Sequence, residues 1–327
     1  MSLAGPMVIR QRFQRTLASL LCLVSGLFAA DCRTRPPLHL DAADHWHSLQ
    51  HQAQSRRFLV HKPESWRPGQ PIWYVLHGGG GKPENMIQLT EGRINLLADQ
   101  HGILVVYPAG IHGWNDGRTF ADDRERYKID DTGFIQAIQE WLVDNYQAGS
   151  APVFAAGISN GGFMAQRLAC EMPAIRAVAS VTATLSVELK PICKPKRPVG
   201  VLFINGTADP LVPYNGGFVT VKIIRTRQRG QILSTDQSID FWRDQNRCTQ
   251  KTAAMPIPDL DPDDGTTASH TIWSRCQAGA TVELIAVQNG GHTWPGGWQY
   301  LPESMIGKTS RDFRASDMIL KFFSKYL

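Results

Sequence analysis

The sequence predicts an α/β fold in which helices cover both faces of a mostly parallel central sheet. After about residue 55, short apolar runs alternate with segments of helical periodicity, the pattern of strand–helix–strand units. Several of the runs are apolar throughout, as expected for strands that are buried on both faces of a parallel sheet. No long Pro- or Ser-rich linker interrupts this alternation, so one domain is the simplest organisation.

Local patterns then predict the individual elements. A helix is predicted over 131–146 because its apolar residues fall on one stripe. A second helix begins at Ser234, which forms an S-x-x-Q capping box with Gln237, and a third covers 318–326. Seven runs have the length and composition of strands: 57–61, 72–77, 103–107, 153–156, 178–181, 199–204 and 282–287.

The first thirty residues have the features of a secretory signal peptide. Three arginines precede an apolar core at 17–28, and Ala29 and Ala30 provide a small-residue exit. An apolar core of this length makes about 18 Å of helix, short of a ~30 Å hydrocarbon layer, so cleavage is expected rather than an uncleaved anchor. Cleavage directly before Cys32 would give a lipoprotein, but Asp31 stands where a small residue is expected. The sequence therefore predicts secretion, with 1–30 as the signal peptide.

Charge and hydropathy exclude two classes of partner. The formal net charge is +5, but three of the 34 basic residues lie in the acid-free leader, so the mature chain is nearly neutral. A nucleic acid held mainly through its phosphates is therefore not expected. No later segment contains eighteen consecutive apolar residues, so no stable membrane insertion is expected after cleavage. The sequence leaves the oligomeric state open.

Export makes disulfides the expected state of the cysteines in the mature chain. Cys32 is the natural unpaired one, because it lies in the poorly patterned N-terminal extension at 31–55. The other four permit three connectivities, and reasoning from the residues selects none of them. Free buried thiols are the alternative. The four cysteines expected to form disulfides are Cys170, Cys193, Cys248 and Cys276.

A Gly-x-Ser-x-Gly pentapeptide at 157–161 carries the first element of a catalytic site. It follows the predicted strand 153–156 and precedes a helical run, which is the strand–turn–helix context of a nucleophile elbow. Glycines are needed there because the turn is tight and strained, and a side chain would collide with neighbouring backbone. Ser159 is therefore the predicted nucleophile, and an ordinary glycine-rich turn is the alternative.

The elbow also predicts the order of its partners, an acid after a later strand and a histidine after the last one. Asp209 follows the sixth predicted strand and His292 follows the seventh, so both fall at the carboxyl edge of the sheet. Asp209 is predicted to fix the imidazole tautomer, and His292 to move the serine proton. Three rival acids precede the serine, which is the wrong order: Asp116, Asp130 and Asp131.

A run of four glycines after His77 supplies candidate oxyanion donors. Acyl transfer develops negative charge on the carbonyl oxygen, and preorganised backbone N–H groups must hold it. In this architecture one donor follows the nucleophile, here Asn160, and the other lies in the HGGG-type loop. Gly79 is the predicted second donor, with its neighbouring glycines as alternatives. His77 is expected to bond loop backbone rather than to act as a second base.

Six sequence blocks follow one another along the chain: LHGGGG, GILVVYPAG, DDTGF, GISNGGFMAQRLACEMP, INGTADPLVPYNGG and GGHTWPGG. In this order they resemble the secreted feruloyl-esterase/poly(3-hydroxybutyrate)-depolymerase-like family of α/β-hydrolases. The resemblance starts near residue 56 and continues to the C-terminus, so it implies an α/β-hydrolase catalytic domain over 56–327. It implies Ser159, Asp209 and His292 as the triad, and it favours disulfides 170–193 and 248–276.

Two tryptophans are predicted to bind substrate. Trp294 lies two residues after His292 in a Pro/Gly-rich loop, and Trp114 lies in the loop after strand 103–107. Exposed indoles near such a site commonly stack on sugar or aromatic rings. Packing in the core is the alternative for both.

Neither a metal nor another cofactor is expected. Three histidines near the N-terminus have spacings that could hold a metal, but no cysteine or carboxylate supports them. The segment that carries them is expected to be solvated. They are His45, His47 and His51.

The leading hypothesis is a secreted serine esterase that hydrolyses carboxylic esters through an acyl-enzyme on Ser159. Its expected partner is a small-molecule or polymeric ester, either a feruloyl or acetyl ester of plant polysaccharide or a short hydroxyalkanoate ester. An acyltransferase with the same triad is the main alternative, and a peptidase or a non-catalytic binding module are further ones. The sequence does not choose among these esters.

Overall fold

A sheet of mostly parallel strands forms the centre of the fold. The computed structural model describes residues 34–119, 126–222 and 226–327, so the predictions about the signal peptide and Cys32 lie outside the described residues. The strands are β1 (Asp44–His51), β2 (Gln54–His61), β3 (Ile72–Leu76), β4 (Leu104–Pro108), β5 (Val153–Ile158), β6 (Ile175–Val181), β7 (Gly200–Gly206), β8 (Gly217–Lys222), β9 (Thr226–Ile232), β10 (Gln250–Lys251), β11 (Met255–Ile257), β12 (Thr267–Ser274) and β13 (Val282–Gln288). The helices are α1 (Pro83–Leu89), α2 (Arg93–His101), α3 (Asp131–Tyr146), α4 (Asn160–Glu171), α5 (Thr235–Asn246), α6 (Glu303–Ile306) and α7 (Ala315–Phe323). Short 3₁₀ turns lie at Arg126–Lys128, Pro262–Asp264, Gln277–Gly279 and Ser324–Tyr326.

The sheet order is β1–β2–β4–β3–β5–β6–β7–β13–β12–β10, and β11 pairs with β12. From β4 to β13 all neighbours are parallel, whereas both ends of the sheet are antiparallel. All seven predicted strands are present, as β2 to β7 and β13. The predicted architecture is therefore confirmed.

Helices cover both faces of the sheet because successive strand residues point to opposite sides. One apolar cluster joins Tyr74 and Phe203 to residues of α3, α4 and α5. A second cluster joins Trp73 and Leu202 to residues of α1, α2 and α7. Among the described residues, no helix combines the length and the apolar character needed to cross a bilayer.

The polar stretch before residue 56 contains a strand that the sequence analysis missed. β1 pairs antiparallel with β2 along its full length, with Asp44 opposite His61. His47 packs 4.4 Å from Trp141 between ring centroids, and His51 Nε2 lies 3.1 Å from a carboxylate oxygen of Asp130. The expectation of a solvated segment is wrong for these two histidines, because contacts with α3 partly bury them.

The remaining unpredicted strands are either mixed in polarity or very short. β8 and β9 form a separate hairpin, while β10, β11 and β12 extend the sheet beyond β13. β11 is a three-residue apolar segment, and the others are not the continuous apolar runs on which the strand predictions depended. Pairing with a neighbouring strand, rather than local composition, decides these elements.

Two disulfides join neighbouring cysteines along the chain. Cys170, at the end of α4, is bonded to Cys193, and Cys248, just after α5, is bonded to Cys276. The bridges span sequence separations of 23 and 28 residues. Both pairings that the family resemblance favours are therefore present.

Reduction of these bridges is expected to lower the melting temperature. Each bridge closes a loop for which the chain-entropy model gives a stabilisation of about 3 kcal/mol. Differential scanning fluorimetry with and without reductant measures the change, and mass spectrometry of the non-reduced protein counts the thiols. Four free thiols at these positions in the non-reduced protein would contradict the pairing.

A buried charged histidine ties β1 and β2 to α2. His61 is fully buried, its Nδ1 lies 3.0 Å from Asp44 Oδ1, and its Nε2 lies 3.2 Å from Asp99 Oδ1. Both ring nitrogens can donate only in the imidazolium form. Burial alone lowers the pKa of His61, but the hydrogen bond and charge of Asp44, together with the charge of Asp99, outweigh it and raise the pKa above its ordinary value.

Replacing His61 by Gln is expected to destabilise the protein more near pH 5.5 than near pH 9. The folded state holds the proton more tightly than the unfolded chain does. The stabilisation is therefore fully present below the unfolded pKa of about 6.5 and is lost as pH rises through the folded pKa. Urea unfolding at a series of pH values measures the difference. The exposed His101 gives the control His101→Gln, and an equal loss at both pH values for His61→Gln would contradict the prediction.

Candidate active site

Three side chains follow the carboxyl ends of neighbouring parallel strands. Ser159 comes directly after β5, Asp209 follows β7 and His292 follows β13, and the sheet order is β5–β6–β7–β13. The last two loops are tied together, because the Ala208 N–H donates to Gly290 O at 3.0 Å. All three residues therefore lie at one edge of the sheet, where α/β folds place their sites.

Ser159 occupies a strained turn between β5 and α4. Its φ is +55° and its ψ is −119°, a conformation that costs a non-glycine residue about 1–3 kcal/mol. A Cβ at Gly157 would overlap the backbone of Gly161, and a Cβ at Gly161 would overlap the carbonyl of Leu76. Both glycines are thus required by close backbone approach, and the turn has the geometry of a nucleophile elbow.

Asp209 and His292 form a buried pair. His292 Nδ1 lies 2.7 Å from Asp209 Oδ2, and the side chains are 4% and 2% exposed, respectively. Asp209 Oδ1 accepts hydrogen bonds from the backbone N–H groups of Leu211 and Val212, each at 2.8 Å. These bonds fix the carboxylate, which accepts a hydrogen bond from His292 Nδ1.

The three acids that precede the serine have other partners. Asp131 Oδ1 accepts from Arg56 at 2.6 Å, and Asp130 caps α3 through the N–H of Gly133. Asp116 accepts from Arg118 and from the side chain of Asn160. Each of these carboxylates has a structural partner.

The glycine loop after β3 lies against the elbow. A Cβ built on Gly78 would be 3.7 Å from Ser159 Cβ, and one on Gly79 would be 3.8 Å from Asn160 Cβ. His77 Nε2 accepts the N–H of Gly110 at 3.0 Å, and His77 Nδ1 donates to Gly78 O at 2.8 Å. Burial lowers the pKa of His77 to about 4, so the ring is neutral and bonds loop backbone, as expected.

The two tryptophans expected at the substrate are core residues. Trp114 and Trp294 are 0% and 1% exposed, and their indole N–H groups donate to His77 O and Ser316 Oγ, respectively. Stacking on a substrate ring does not fit this burial. Glycine-rich loops fold both indoles inward, where their large apolar area contributes most to stability.

One group of described residues has metal-ligand chemistry, formed by Asp41, Asp44 and His61, whose ligand atoms lie within 4.8 Å of one another. Both nitrogens of His61 are already hydrogen-bonded to carboxylates, and Asp44 Oδ2 accepts the N–H of Asp41. A protonated imidazole with both nitrogens occupied is a poor ligand, because metal binding requires the neutral ring. The group is therefore better described as an ion network around the buried His61.

The contacts of two side chains at the site were not predicted from the sequence. The hydroxyl of Tyr300 donates to the His292 carbonyl at 3.0 Å, which holds the backbone of that loop. The side chain of Asn160 bonds both to Trp114 and to Asp116. Asn160 was predicted only for its backbone N–H, and no local pattern distinguishes Tyr300.

A parallel sheet with a strained Gly-x-Ser-x-Gly turn after a central strand, and an acid–histidine pair after two later strands, is the arrangement of the α/β-hydrolase fold. The acetyl xylan esterase from Aspergillus awamori shares this fold, with a TM-score of 0.52 and 13% identity over 86% of this chain and 99% of that one. No family model matches the chain.

Sequence relatives indicate which type of reaction the chain performs on this fold. The chain is 31% identical over 260 residues to the "Putative esterase NocK" of Nocardia uniformis subsp. tsuyamanensis. The aligned region spans 78% of this chain and 74% of that protein. It is 25% identical over 232 residues to "Feruloyl esterase B" of Piromyces equi, which covers 67% of this chain. That match spans only 38% of the fungal protein's length. The chain therefore belongs to the esterase family of NocK, and it is a carboxylic ester hydrolase with the α/β-hydrolase fold.

Proposed function

We propose that the protein is a secreted serine esterase with Ser159, His292 and Asp209 as its catalytic triad. The observation that carries the proposal is the buried Asp209–His292 pair at the sheet edge that also bears the strained serine turn. Secretion is supported by the N-terminal leader in the sequence and by the two disulfides.

The triad acts by moving one proton between serine, histidine and the leaving alcohol. Ser159 Oγ attacks the ester carbonyl carbon while its proton passes to His292 Nε2, and Asp209 stabilises the resulting imidazolium. Collapse of the tetrahedral intermediate breaks the bond to the alcohol oxygen, which takes the proton from His292. Water then attacks the acyl-enzyme with His292 as base, and this releases the acid and restores Ser159.

The negative charge of each tetrahedral intermediate is held by backbone N–H groups of Gly79 and Asn160. The close approach of the glycine loop to the elbow supports the choice of these two residues as donors. Because the donors are fixed before the reaction, they stabilise the developing charge without reorganisation. Each such donor contributes about 10²–10³ to kcat.

The proposed substrates are feruloyl or acetyl esters of plant polysaccharide, with short hydroxyalkanoate esters as the next class. The names of relatives support the first class: one is described as a feruloyl esterase, and another, 22% identical, as a bifunctional acetylxylan esterase/xylanase of Neocallimastix patriciarum. Transfer of the acyl group to an added alcohol, in place of water, is the alternative outcome for the same acyl-enzyme.

A small ester panel tests the proposal. Methyl ferulate, acetylated xylan and a hydroxybutyrate dimer are incubated with the protein, with and without an added alcohol acceptor. Release of free acid from at least one ester, with hydrolysis exceeding exchange, is the expected result. Dominant ester exchange would overturn the hydrolase proposal, and inactivity on every ester of the panel would overturn the substrate assignment.

A further inference from the structure

The loop after β4 contacts both halves of the proposed oxyanion hole. Its first contact is with His77, the residue before the glycine run: the Gly110 N–H donates to His77 Nε2 at 3.0 Å. The Trp114 indole N–H donates to His77 O at 2.8 Å, and the two rings pack with centroids 4.8 Å apart. His77 in turn donates to Gly78 O. This side of the loop therefore fixes the backbone immediately before Gly79.

The second contact of the same loop is with the elbow. The backbone N–H of Trp114 donates to Asn160 Oδ1 at 2.7 Å, and Asn160 Nδ2 donates back to Trp114 O at 3.1 Å. A Cβ at Gly113 would lie 2.6 Å from Asn160 Oδ1, and the φ of Gly113 is +103°, so only glycine lets the loop approach this closely. Asn160, which bears one of the two proposed oxyanion donors, is thus held through its side chain.

Asp116 also holds the side chain of Asn160 in place. Its Oδ2 accepts from Asn160 Nδ2 at 2.6 Å and from Arg118 at 2.6 and 3.0 Å, and its Oδ1 accepts from Arg126 at 3.1 Å. The carboxylate is fully buried. Burial alone raises the pKa of Asp116, but the charges of Arg118 and Arg126 outweigh it and hold the pKa below its usual value. A buried charge with several partners is rigid, since moving it would leave charges unpaired.

We propose that the segment 110–118 is a clamp that sets the spacing of the two oxyanion donors, with Trp114 and Asp116 as positioning residues. Trp114 is the centre of the clamp, because one residue bonds His77 through its indole and Asn160 through its backbone. The donors lie in different elements, Gly79 in the loop after β3 and Asn160 at the start of α4. Small errors in their separation weaken the stabilisation of the transition state. The inference rests on the proposed esterase mechanism and adds to it the residues that tune the hole.

The variant Trp114→Phe tests the clamp, because it removes the indole N–H and keeps an aromatic ring. Turnover of an active ester is expected to fall about 10- to 100-fold, with KM within about twofold of wild type. Affinity for a boronic acid, which forms a tetrahedral anion on serine, should fall by a similar factor. Trp242→Phe is the matched control: that indole is also fully buried and donates to Gln166 Oε1, on α4 beyond the clamp contacts.

A second pair of variants separates positioning from folding. Asp116→Ala removes the acceptor of Asn160, whereas Asp116→Asn keeps a carbonyl oxygen at that position, so Asn should recover part of the kcat that Ala loses. The clamp would be overturned if Trp114→Phe had wild-type kcat and boronate affinity while its melting temperature fell as in Trp242→Phe. A rise in KM with unchanged kcat would overturn it as well. Absence of fluorophosphonate labelling at Ser159 in the wild-type protein would instead remove the triad proposal itself.

Discussion

With Ser159 replaced by Ala, covalent labelling by a fluorophosphonate is expected to disappear and kcat to fall by roughly 10⁴–10⁶. The strained turn presents this hydroxyl at the carboxyl edge of the sheet, and Ala removes the attacking oxygen while it retains the backbone. Labelling is read by mass spectrometry and turnover by the release of free acid.

The control for this experiment is Ser48→Ala, a change at an exposed position on β1. It should leave both labelling and turnover at the wild-type level. Labelling of another serine in the Ser159→Ala protein would remove the central claim, because the nucleophile would then lie elsewhere.

With His292 replaced by Ala, kcat is expected to fall about as far as in Ser159→Ala. The two residues act as one unit, so the double variant should be no slower than either single variant. Asp209→Asn should cost somewhat less, since it disturbs the imidazole tautomer and leaves the nucleophile in place. Steady-state kinetics of the wild type, the two single alanine variants, their double variant and Asp209→Asn on one ester measure these differences.

His101→Ala provides the control for a lost imidazole, because His101 is exposed. It should retain wild-type kcat. If the His292→Ala protein kept more than about a tenth of wild-type kcat, the loss of barrier stabilisation would be under about 1.4 kcal/mol and the assignment would be wrong. The base would then have to be sought at His77, where it would require the two backbone bonds of that ring to break.

Local patterns in the sequence were sufficient for the part of the fold that is buried on both sides. Each central strand is an apolar run because both of its faces meet helices, so composition alone marks it. The elbow could be predicted for a related reason. Its glycines are required by close backbone approach, between Gly157 and Gly161 within the turn and between Gly161 and Leu76 on the neighbouring strand, and their short spacing is visible in the sequence.

The order of the candidate site along the chain was also predictable, because parallel strands bring their carboxyl ends to one edge. Asp209 and His292 were identified from the strands they follow, and they lie 2.7 Å apart between Oδ2 and Nδ1 although they are separated by 83 residues. Topology therefore carried information that no local pattern around either residue contains.

Tertiary structure alone decided which polar and aromatic side chains are buried. β1 is polar, and its packing against α3 gives His47 and His51 the burial that their sequence does not suggest. Trp114 and Trp294 look like exposed loop indoles, yet the loops turn both into the core, where each N–H finds a partner. Burial of a loop side chain depends on residues far away in the chain, so hydropathy near it cannot predict the outcome.

The same limit applies to the network that surrounds Asn160. Asp116 precedes the serine by more than forty residues, and from sequence it was only a rival acid in the wrong order. In the fold it bonds Arg118, Arg126 and Asn160 at once. The sequence by itself determined the central strands, the serine turn and the order of the candidate triad, because these follow from apolar runs and backbone sterics. The tertiary structure decided the buried polar contacts, because a hydrogen bond depends on the distance between atoms that only the completed fold brings together.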